Sequence, residues 1–284
     1  MRLTWDENFR DLKEQAVRHF ARGVTHFVFH TCTHNPQTDG RVPGTSFGTF
    51  IGTPFIRGQT WWPFMRSFTE WTAECCAFLE RGLPVVDVLR YLGDELDHKP
   101  DEQEYFPEGF KNDYLNADVL FNRLDVENGR FVLPGGMSYS AIWVPDSVLA
   151  LPRTRARLDA LAAKGGRVVY GSADASVAGL MPQVVADSSL LWYHRVDGDA
   201  DCFFVAADEK GFTGKATFRT QHGERVRKFN LAPFETRLLE FGKGGINDDN
   251  CPKCSHVSPM TSINLPRNAR RGLFGRWTKE HRRA

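Results

Sequence analysis

His30 and His34 are well suited to chemistry, because an imidazole can donate and accept hydrogen bonds or bind a metal. They lie in residues 23–36, a run whose alternating pattern predicts a strand. At about 3.3 Å per residue, an extended strand would place the two imidazoles about 13 Å apart, too far to share one metal unless the strand ends at His30. Three alternatives therefore stand: hydrogen bonding to a substrate, a core or loop histidine, and metal ligation.

Asn35 adds an amide beside His34, and an amide and an imidazole together suit the recognition of hydroxyl groups. Trp61 and Trp62 come at the end of residues 43–63, a loop rich in glycine, proline and phenylalanine. An indole can stack on the apolar face of a pyranose, although the same pair could instead staple the loop to the following helix. The glycines of this loop match no nucleotide-binding spacing.

Paired carboxyl groups matter because glycoside hydrolysis needs two of them flanking one bond. Asp94, Glu95 and Asp97 follow a predicted strand, but the adjoining acidic run is typical of a solvated loop. The glutamates of residues 62–81 lie on the polar face of a predicted helix. The sequence therefore offers no convincing acid–base pair, and the catalytic residues are unknown at this stage.

Cys251 and Cys254, followed by His256, resemble half of a zinc knuckle. A structural zinc site needs four ligands, and no second pair follows here. A flexible tail with incidental thiols is the favoured interpretation, with a metal site as the alternative.

Net charge and hydropathy limit the partners of the chain. Its 284 residues carry a formal net charge of +1, which indicates neither a nucleic acid nor an anionic membrane as partner. No apolar run approaches the roughly 18 residues that span a bilayer. The N-terminus lacks the apolar stretch of a signal peptide, so the sequence as written predicts a cytoplasmic protein.

The first elements alternate between helix and strand. Residues 6–22 have apolar side chains at three- and four-residue spacing, which predicts a helix that ends at Gly23. The histidine-bearing run of residues 23–36 follows as a strand. A second amphipathic helix is predicted over about residues 62–81. This order is typical of α/β proteins.

The rest of the chain predicts a second α/β unit and then an all-β segment. The α/β unit consists of strands over residues 83–92, 140–145 and 167–171, helices over 113–120 and 154–164, and a hairpin over 124–132. Asn128–Gly129 is a typical two-residue hairpin turn. Short strands separated by glycines occupy residues 188–242, and a basic tail without predicted order follows.

Several motifs occur in order along the chain. They are Trp5 with Leu12–Lys13, GVTHFVFH at 23–30, HNP at 34–36, PGTSFG at 43–48, TWW at 60–62, PVVDVLRYLGD at 84–94, DYLNAD at 113–118, LPGGMSY at 133–139, HR at 194–195 and DADCFFV at 199–205. This set resembles the bacterial α-L-rhamnosidase-like glycoside hydrolases, family 106 and its relatives, and the similarity covers about residues 1–242.

The resemblance implies an α/β fold in four parts. They are 1–82, the last strand and helices of a (β/α)8 catalytic barrel; 83–187, a flavodoxin-like doubly wound unit; 188–243, a small β-sandwich-like segment; and 244–284, a disordered basic tail. The family's catalytic carboxylates lie on barrel strands before this block, so the resemblance implies a fragment that is inactive alone.

The resemblance also implies a function, the hydrolysis of terminal rhamnosides of plant or bacterial glycans by an inverting mechanism with two carboxylates. Its substrate-binding residues carry over as His30, His34, Asn35, Trp61 and Trp62. No cofactor is implied, although the family's full barrel allows a calcium ion, and full-length relatives are often exported.

Two other functions are alternatives to this enzyme fragment. One is a non-catalytic carbohydrate-binding or structural remnant. The other is a flavodoxin-like module that binds a nucleotide or a partner protein near Gly93 and Gly171.

Self-association is expected because a lone barrel strand leaves an unpaired sheet edge and exposes Phe27 and Phe29. We expect the isolated chain to dimerise or aggregate, as measured by size-exclusion chromatography with light scattering. A monodisperse monomer that melts cooperatively would contradict the truncated-barrel interpretation.

Overall fold

The structure is a computed structural model that describes residues 7–30, 55–56, 59–95, 105–243 and 245–246. The chain divides into two compact units. The first consists of Met1–Leu12, His30–Trp71 and Cys251–Ala284, and the second of Lys13–Phe29 and Thr72–Asn250. The predicted site residues His34 and Asn35, the carboxyl group of Asp97 and the Cys251–Cys254–His256 trio lie outside the described residues.

Five α-helices and one 3-10 turn occur in the described residues. They are α1 Phe9–Phe20, the 3-10 turn Trp62–Phe64, α2 Met65–Leu79, α3 Ala117–Asn122, α4 Pro152–Ala163 and α5 Ala173–Val177. The helices predicted over residues 6–22, 62–81 and 154–164 are confirmed as α1, α2 and α4. No described helix is long and apolar enough to cross a membrane.

Fifteen strands occur in the same ranges. They are β1 Leu83–Pro84, β2 Val88–Tyr91, β3 Asn112–Leu115, β4 Asp125–Glu127, β5 Arg130–Val132, β6 Ser138–Tyr139, β7 Ala141–Pro145, β8 Val168–Gly171, β9 Val184–Ala186, β10 Leu191–Asp197, β11 Ala200–Ala206, β12 Phe212–Thr220, β13 Gly223–Leu231, β14 Thr236–Gly242 and β15 Gly245–Ile246. The predicted change to short strands after residue 188 is therefore confirmed.

A parallel sheet forms the centre of the α/β part. Its order is β3-β2-β7-β8, which is second, first, third and fourth along the chain. Every residue of β2 and β7 is buried, as expected for central strands with both faces covered. The carboxyl ends of the four strands meet at one edge, where open α/β sheets bind their ligands.

Two antiparallel sheets share a second hydrophobic core. Their orders are β1-β10-β11-β14-β15 and β13-β12-β9. Phe203, Phe218 and Phe241 are fully buried between them, and their ring centroids lie within 5.9 Å of one another. Pro84 lies in the edge strand β1 and has no N–H to present to another chain, which protects this edge from further pairing.

The strand predicted over residues 23–36 is wrong for its described part, because residues 24–30 have no regular secondary structure. A strand exists through the ladder it forms with a neighbour, and no described strand pairs with these residues. Phe27 instead packs edge-on against Phe20, with ring centroids 4.7 Å apart. Val28 is 87% exposed.

Two further predictions need correction. The single strand predicted over residues 83–92 divides into β1 and β2, which belong to different sheets. Asp87 lies between them and turns its carboxylate inward to accept the backbone N–H of Lys111. The helix predicted over residues 113–120 begins only at Ala117, because Asn116 caps it and the preceding residues pair with β2.

The hairpin predicted around Asn128–Gly129 is confirmed as β4 and β5. Both turn residues have positive φ, 50° and 75°, as a type I′ turn requires. The third strand β6 pairs with β5 and completes a small separate sheet.

Substitution of Gly82 tests how closely the backbone before β1 approaches the backbone of β10. It has φ +56° and an added Cβ would lie 2.0 Å from the carbonyl oxygen of Val196, whereas Gly198 has φ +59° and open space. We expect Gly198→Ala to cost about 1–2 kcal/mol of unfolding free energy from strain alone. Gly82→Ala should cost at least about twice as much in urea denaturation. Equal losses for the two variants would contradict the close approach.

Candidate functional site

The predicted sugar-binding residues of the first unit lie in different surroundings. His30 is exposed at the end of the irregular segment of residues 24–30. Trp61 is buried, and Trp62 is half-buried and begins the 3-10 turn that Pro63 helps to start. No described contact brings His30 and the tryptophans together, so their common role stays a prediction.

Trp61 belongs to an aromatic cluster. Its indole N–H donates to the carbonyl oxygen of Glu7 at 3.2 Å. Its ring lies 4.9 Å from that of Phe9 and 5.9 Å from that of Phe55. This packing corresponds to the hydrophobic staple that the sequence left as an alternative to sugar stacking, and it leaves Trp62 with the larger accessible indole surface.

The predicted carboxyl groups at the end of β2 support the fold. Asp94 accepts a hydrogen bond from the backbone N–H of Leu151 and one from the hydroxyl of Thr154, both at 2.8 Å. Burial by itself raises the pKa of Asp94, but these hydrogen bonds outweigh it and hold the pKa below its usual value. Asp94 thus caps α4, and Glu95 is exposed beside it.

Asp113 is engaged in the same way. Its carboxylate accepts a hydrogen bond from the hydroxyl of Tyr139 at 3.0 Å, which ties β3 to the small hairpin sheet. Burial raises the pKa of this carboxyl. Among the described residues, no group of three or more His, Cys, Asp and Glu side chains could hold a metal ion.

A chain of four buried polar side chains is the most organised polar feature of the second unit. Asp87 accepts a hydrogen bond from the amide of Gln183 at 2.6 Å. The carbonyl of Gln183 faces Nδ1 of His194 at 3.0 Å, and Nε2 of His194 faces Asp201 at 2.9 Å. All four side chains are almost fully buried, and the imidazole stacks on the ring of Phe203 at 3.9 Å.

The hydrogen-bond directions in this chain define where protons lie. The amide of Gln183 also donates to the carbonyl of Val85, so its oxygen faces His194 and Nδ1 must carry a hydrogen. One more proton then lies between Nε2 and Asp201, on the imidazole or on the carboxyl. Burial lowers the pKa of His194, and the facing Asp201 opposes that effect in part. The pair is neutral as a whole in either arrangement, which reduces the cost of burying it.

Lys111 lies directly before β3, and its charge interacts with that of Asp87 in this hydrogen-bond chain. Its ammonium donates to the carbonyl of Ala21 at 2.8 Å and lies 4.4 Å from the ring centroid of Trp192. Burial lowers the pKa of Lys111 to about 7, while the charge of Asp87 opposes the shift. The amine therefore binds the end of α1 to the β-sandwich.

Sequence reasoning assigned no role to Gln183, His194, Asp201 or Lys111. His194 and Asp201 lie in the motifs HR at 194–195 and DADCFFV at 199–205, which carry the family resemblance, whereas Gln183 and Lys111 lie in none of the motifs. The four residues surround the amino ends of β2 and β3, opposite the edge where α/β sheets bind ligands. Because the polar atoms of Asp87, Gln183, His194 and Asp201 face protein groups, this hydrogen-bond chain is suited to joining the sheets and not to binding a substrate.

Comparison with known proteins shows the family to which this chain belongs. The family model of glycoside hydrolase family 106, described as alpha-L-rhamnosidase, matches residues 2–183. A protein of Formosa agariphila provisionally named a beta-glucuronidase is 28% identical over 250 residues, which cover 72% of this chain and 21% of the relative.

A solved structure is also similar to the chain. A rhamnosidase from Novosphingobium sp. PP1Y matches with a TM-score of 0.71 and 20% identity, over 86% of this chain and 30% of its own. The chain therefore spans about a fifth to a third of the length of these two relatives.

Substitution of Asp201 tests whether the buried hydrogen-bond chain stabilises the fold. Asp201→Leu leaves His194 and the backbone N–H of Gln221 without their acceptor, so we expect a loss of about 3 kcal/mol or more. Asp201→Asn should lose much less, because its amide can donate to a neutral imidazole. Asp199→Leu, with a side chain 73% exposed, is the control and should change stability by less than about 0.5 kcal/mol. Similar losses for the Leu and Asn variants in urea denaturation would refute this role.

Proposed function

Because the chain belongs to glycoside hydrolase family 106, the family of alpha-L-rhamnosidases, we propose that it serves the hydrolysis of terminal α-L-rhamnosides of plant or bacterial glycans. The family match over residues 2–183 is the observation that carries this proposal. The chain covers only 30% of the similar rhamnosidase structure, so the proposal concerns a part of such an enzyme.

We propose that the described elements correspond to three parts of the family's architecture. Helices α1 and α2 on either side of the histidine-bearing run support a barrel portion in residues 1–82. The strand order 2-1-3-4 supports a flavodoxin-like unit in residues 83–187, since flavodoxin-like sheets have this order. The two sheets around Phe203 support a β-sandwich segment in residues 188–243.

The proposed sugar-binding surface lies in the first unit. Trp62 would stack on the apolar face of a sugar, and Trp61, held by Glu7 and Phe9, would fix its position. His30, with His34 and Asn35 beyond it in sequence, would donate and accept hydrogen bonds with the hydroxyl groups. None of these residues is proposed as the acid or base of the reaction.

A second candidate is a non-catalytic carbohydrate-binding role, the alternative to the enzyme. The engagement of four carboxyl groups in packing favours it. Asp87, Asp94, Asp113 and Asp201 each accept hydrogen bonds that stabilise packing or cap a helix. An inverting glycosidase instead needs two carboxyl groups that face one cleft, roughly 6.5–9.5 Å apart.

Trp62 provides the test of the proposed surface. We expect 4-nitrophenyl α-L-rhamnoside to bind the chain and quench its tryptophan fluorescence, and Trp62→Ala to weaken this binding about tenfold, or about 1.4 kcal/mol. Phe64→Ala is the matched control, because Phe64 lies in the same 3-10 turn, is 41% exposed and has no proposed role.

Release of nitrophenol in the same titration separates the two candidates. Hydrolysis by the purified chain would favour the enzyme, and binding without hydrolysis would favour the carbohydrate-binding role. Failure to bind rhamnosides, or equal weakening by Trp62→Ala and Phe64→Ala, would refute the surface.

A further inference from the structure

A cleft in the second unit opens between β1 and the hairpin sheet. It encloses about 380 Å³, within the size range of small-molecule sites. Leu83 and Val85 line one side, and Arg130, Met137 and Ser138 line the other. None of the residues that line it is acidic.

Arg130 is held in one orientation at this cleft. Its Nε donates to the hydroxyl of Ser138 at 3.1 Å, one terminal nitrogen donates to the hydroxyl of Ser140 at 2.8 Å, and the other donates to the carbonyl of Ser138 at 3.1 Å. Residues 130 and 138 lie in paired strands, β5 and β6, so the hairpin positions the guanidinium. An arginine already fixed loses less side-chain entropy when it binds a ligand.

The charged group that lines the cleft is a hydrogen-bond donor, the guanidinium of Arg130. A guanidinium has five N–H groups, and three of those of Arg130 are used within the hairpin. The hydroxyl of Ser138, which lines the cleft and accepts from Arg130, can still donate its own proton and accept with its second lone pair. A carboxylate can accept charge-assisted hydrogen bonds from the two remaining N–H groups of Arg130, whereas a neutral hydroxyl gains no such ionic contribution. The cleft therefore matches an anion better than a neutral polyol.

Apolar surface beside these donors favours a ligand with a hydrocarbon face. Leu83 is 42% exposed, and its Cδ1 lies 3.2 Å from where a Cβ on Gly136 would be. The β1 side and the connection between β5 and β6 thus meet at one end of the cleft. A sugar ring could place its C–H groups on Leu83 and Met137 while its charged group faces Arg130.

We propose that this cleft binds a carboxylate-bearing sugar residue of a glycan, with the carboxylate on the guanidinium of Arg130. That the ligand is a sugar rests on the proposed function. Arginine and carboxylate form paired, charge-assisted hydrogen bonds, so Arg130 would select a uronic acid over the corresponding neutral sugar.

Calorimetric titration of the full chain with methyl β-D-glucuronide and methyl β-D-glucoside tests this cleft, because the two glycosides differ only at C6, which is a carboxylate in one and a hydroxymethyl group in the other. We expect at least tenfold tighter binding of the glucuronide, and loss of that preference in Arg130→Gln. Arg123→Gln is the control, since Arg123 is an exposed arginine paired with Asp118 and outside the cleft. Thermal melts of both variants verify that they are folded.

The proposal is overturned if both glycosides bind equally, if Arg130→Gln keeps the preference, or if glucose 6-sulfate binds more tightly than the glucuronide. Rhamnoside binding at Trp62 distinguishes this result from a failure of the proposed function. Rhamnoside binding without glucuronide binding would reject only the cleft. Glucuronide binding that needs Arg130, without rhamnoside binding, would reject only the Trp62 surface.

Discussion

The second unit depends on the burial of a continuous hydrogen-bond chain between two hydrophobic cores. Asp87 precedes the central parallel strand, Gln183 precedes β9 in one sheet of the sandwich, and His194 and Asp201 lie in the other sheet. Buried polar groups are tolerated only when each has a partner. The parallel sheet and the two sheets of the sandwich must therefore adopt positions that satisfy all four groups at once.

A second constraint acts where α2 ends. Arg195 on β10 donates to the carbonyl oxygens of Arg81 and Gly82, both at 2.6 Å, in the turn that follows α2. Gly82 allows the chain to pass against the backbone of β10 and enter β1. The chain direction between helix and sandwich is thus set by one arginine and one glycine.

The polar residues that stabilise the fold differ from the residues proposed to bind sugar. The well-ordered polar groups of the α/β part and the sandwich are used in packing, whereas the family 106 match covers residues 2–183. The groups proposed for ligand recognition are an indole at Trp62, an imidazole at His30 and the guanidinium of Arg130. Such groups can stack on a sugar ring, form hydrogen bonds with its hydroxyl groups and bind a carboxylate.

The sequence by itself determined the features that depend on local periodicity and turn chemistry. Apolar spacing was sufficient for α1, α2 and α4, and Asn128–Gly129 was sufficient for the hairpin turn. The ordered motifs were sufficient for the family. Each of these signals lies within a short stretch of chain, so no long-range contact was needed to interpret it.

Tertiary structure alone decided the features that depend on partners far away in sequence. The run of residues 24–30 has a strand pattern but no described strand to pair with, and residues 83–92 divide because Asp87 finds its partners at Lys111 and Gln183. The imidazole of His194 finds its partners at Gln183 and Asp201, 11 and 7 positions away. The guanidinium of Arg130 is oriented by strand pairing within the hairpin sheet. A hydrogen bond forms where the fold brings donor and acceptor together, and the local sequence around either residue does not reveal which partner the fold will bring.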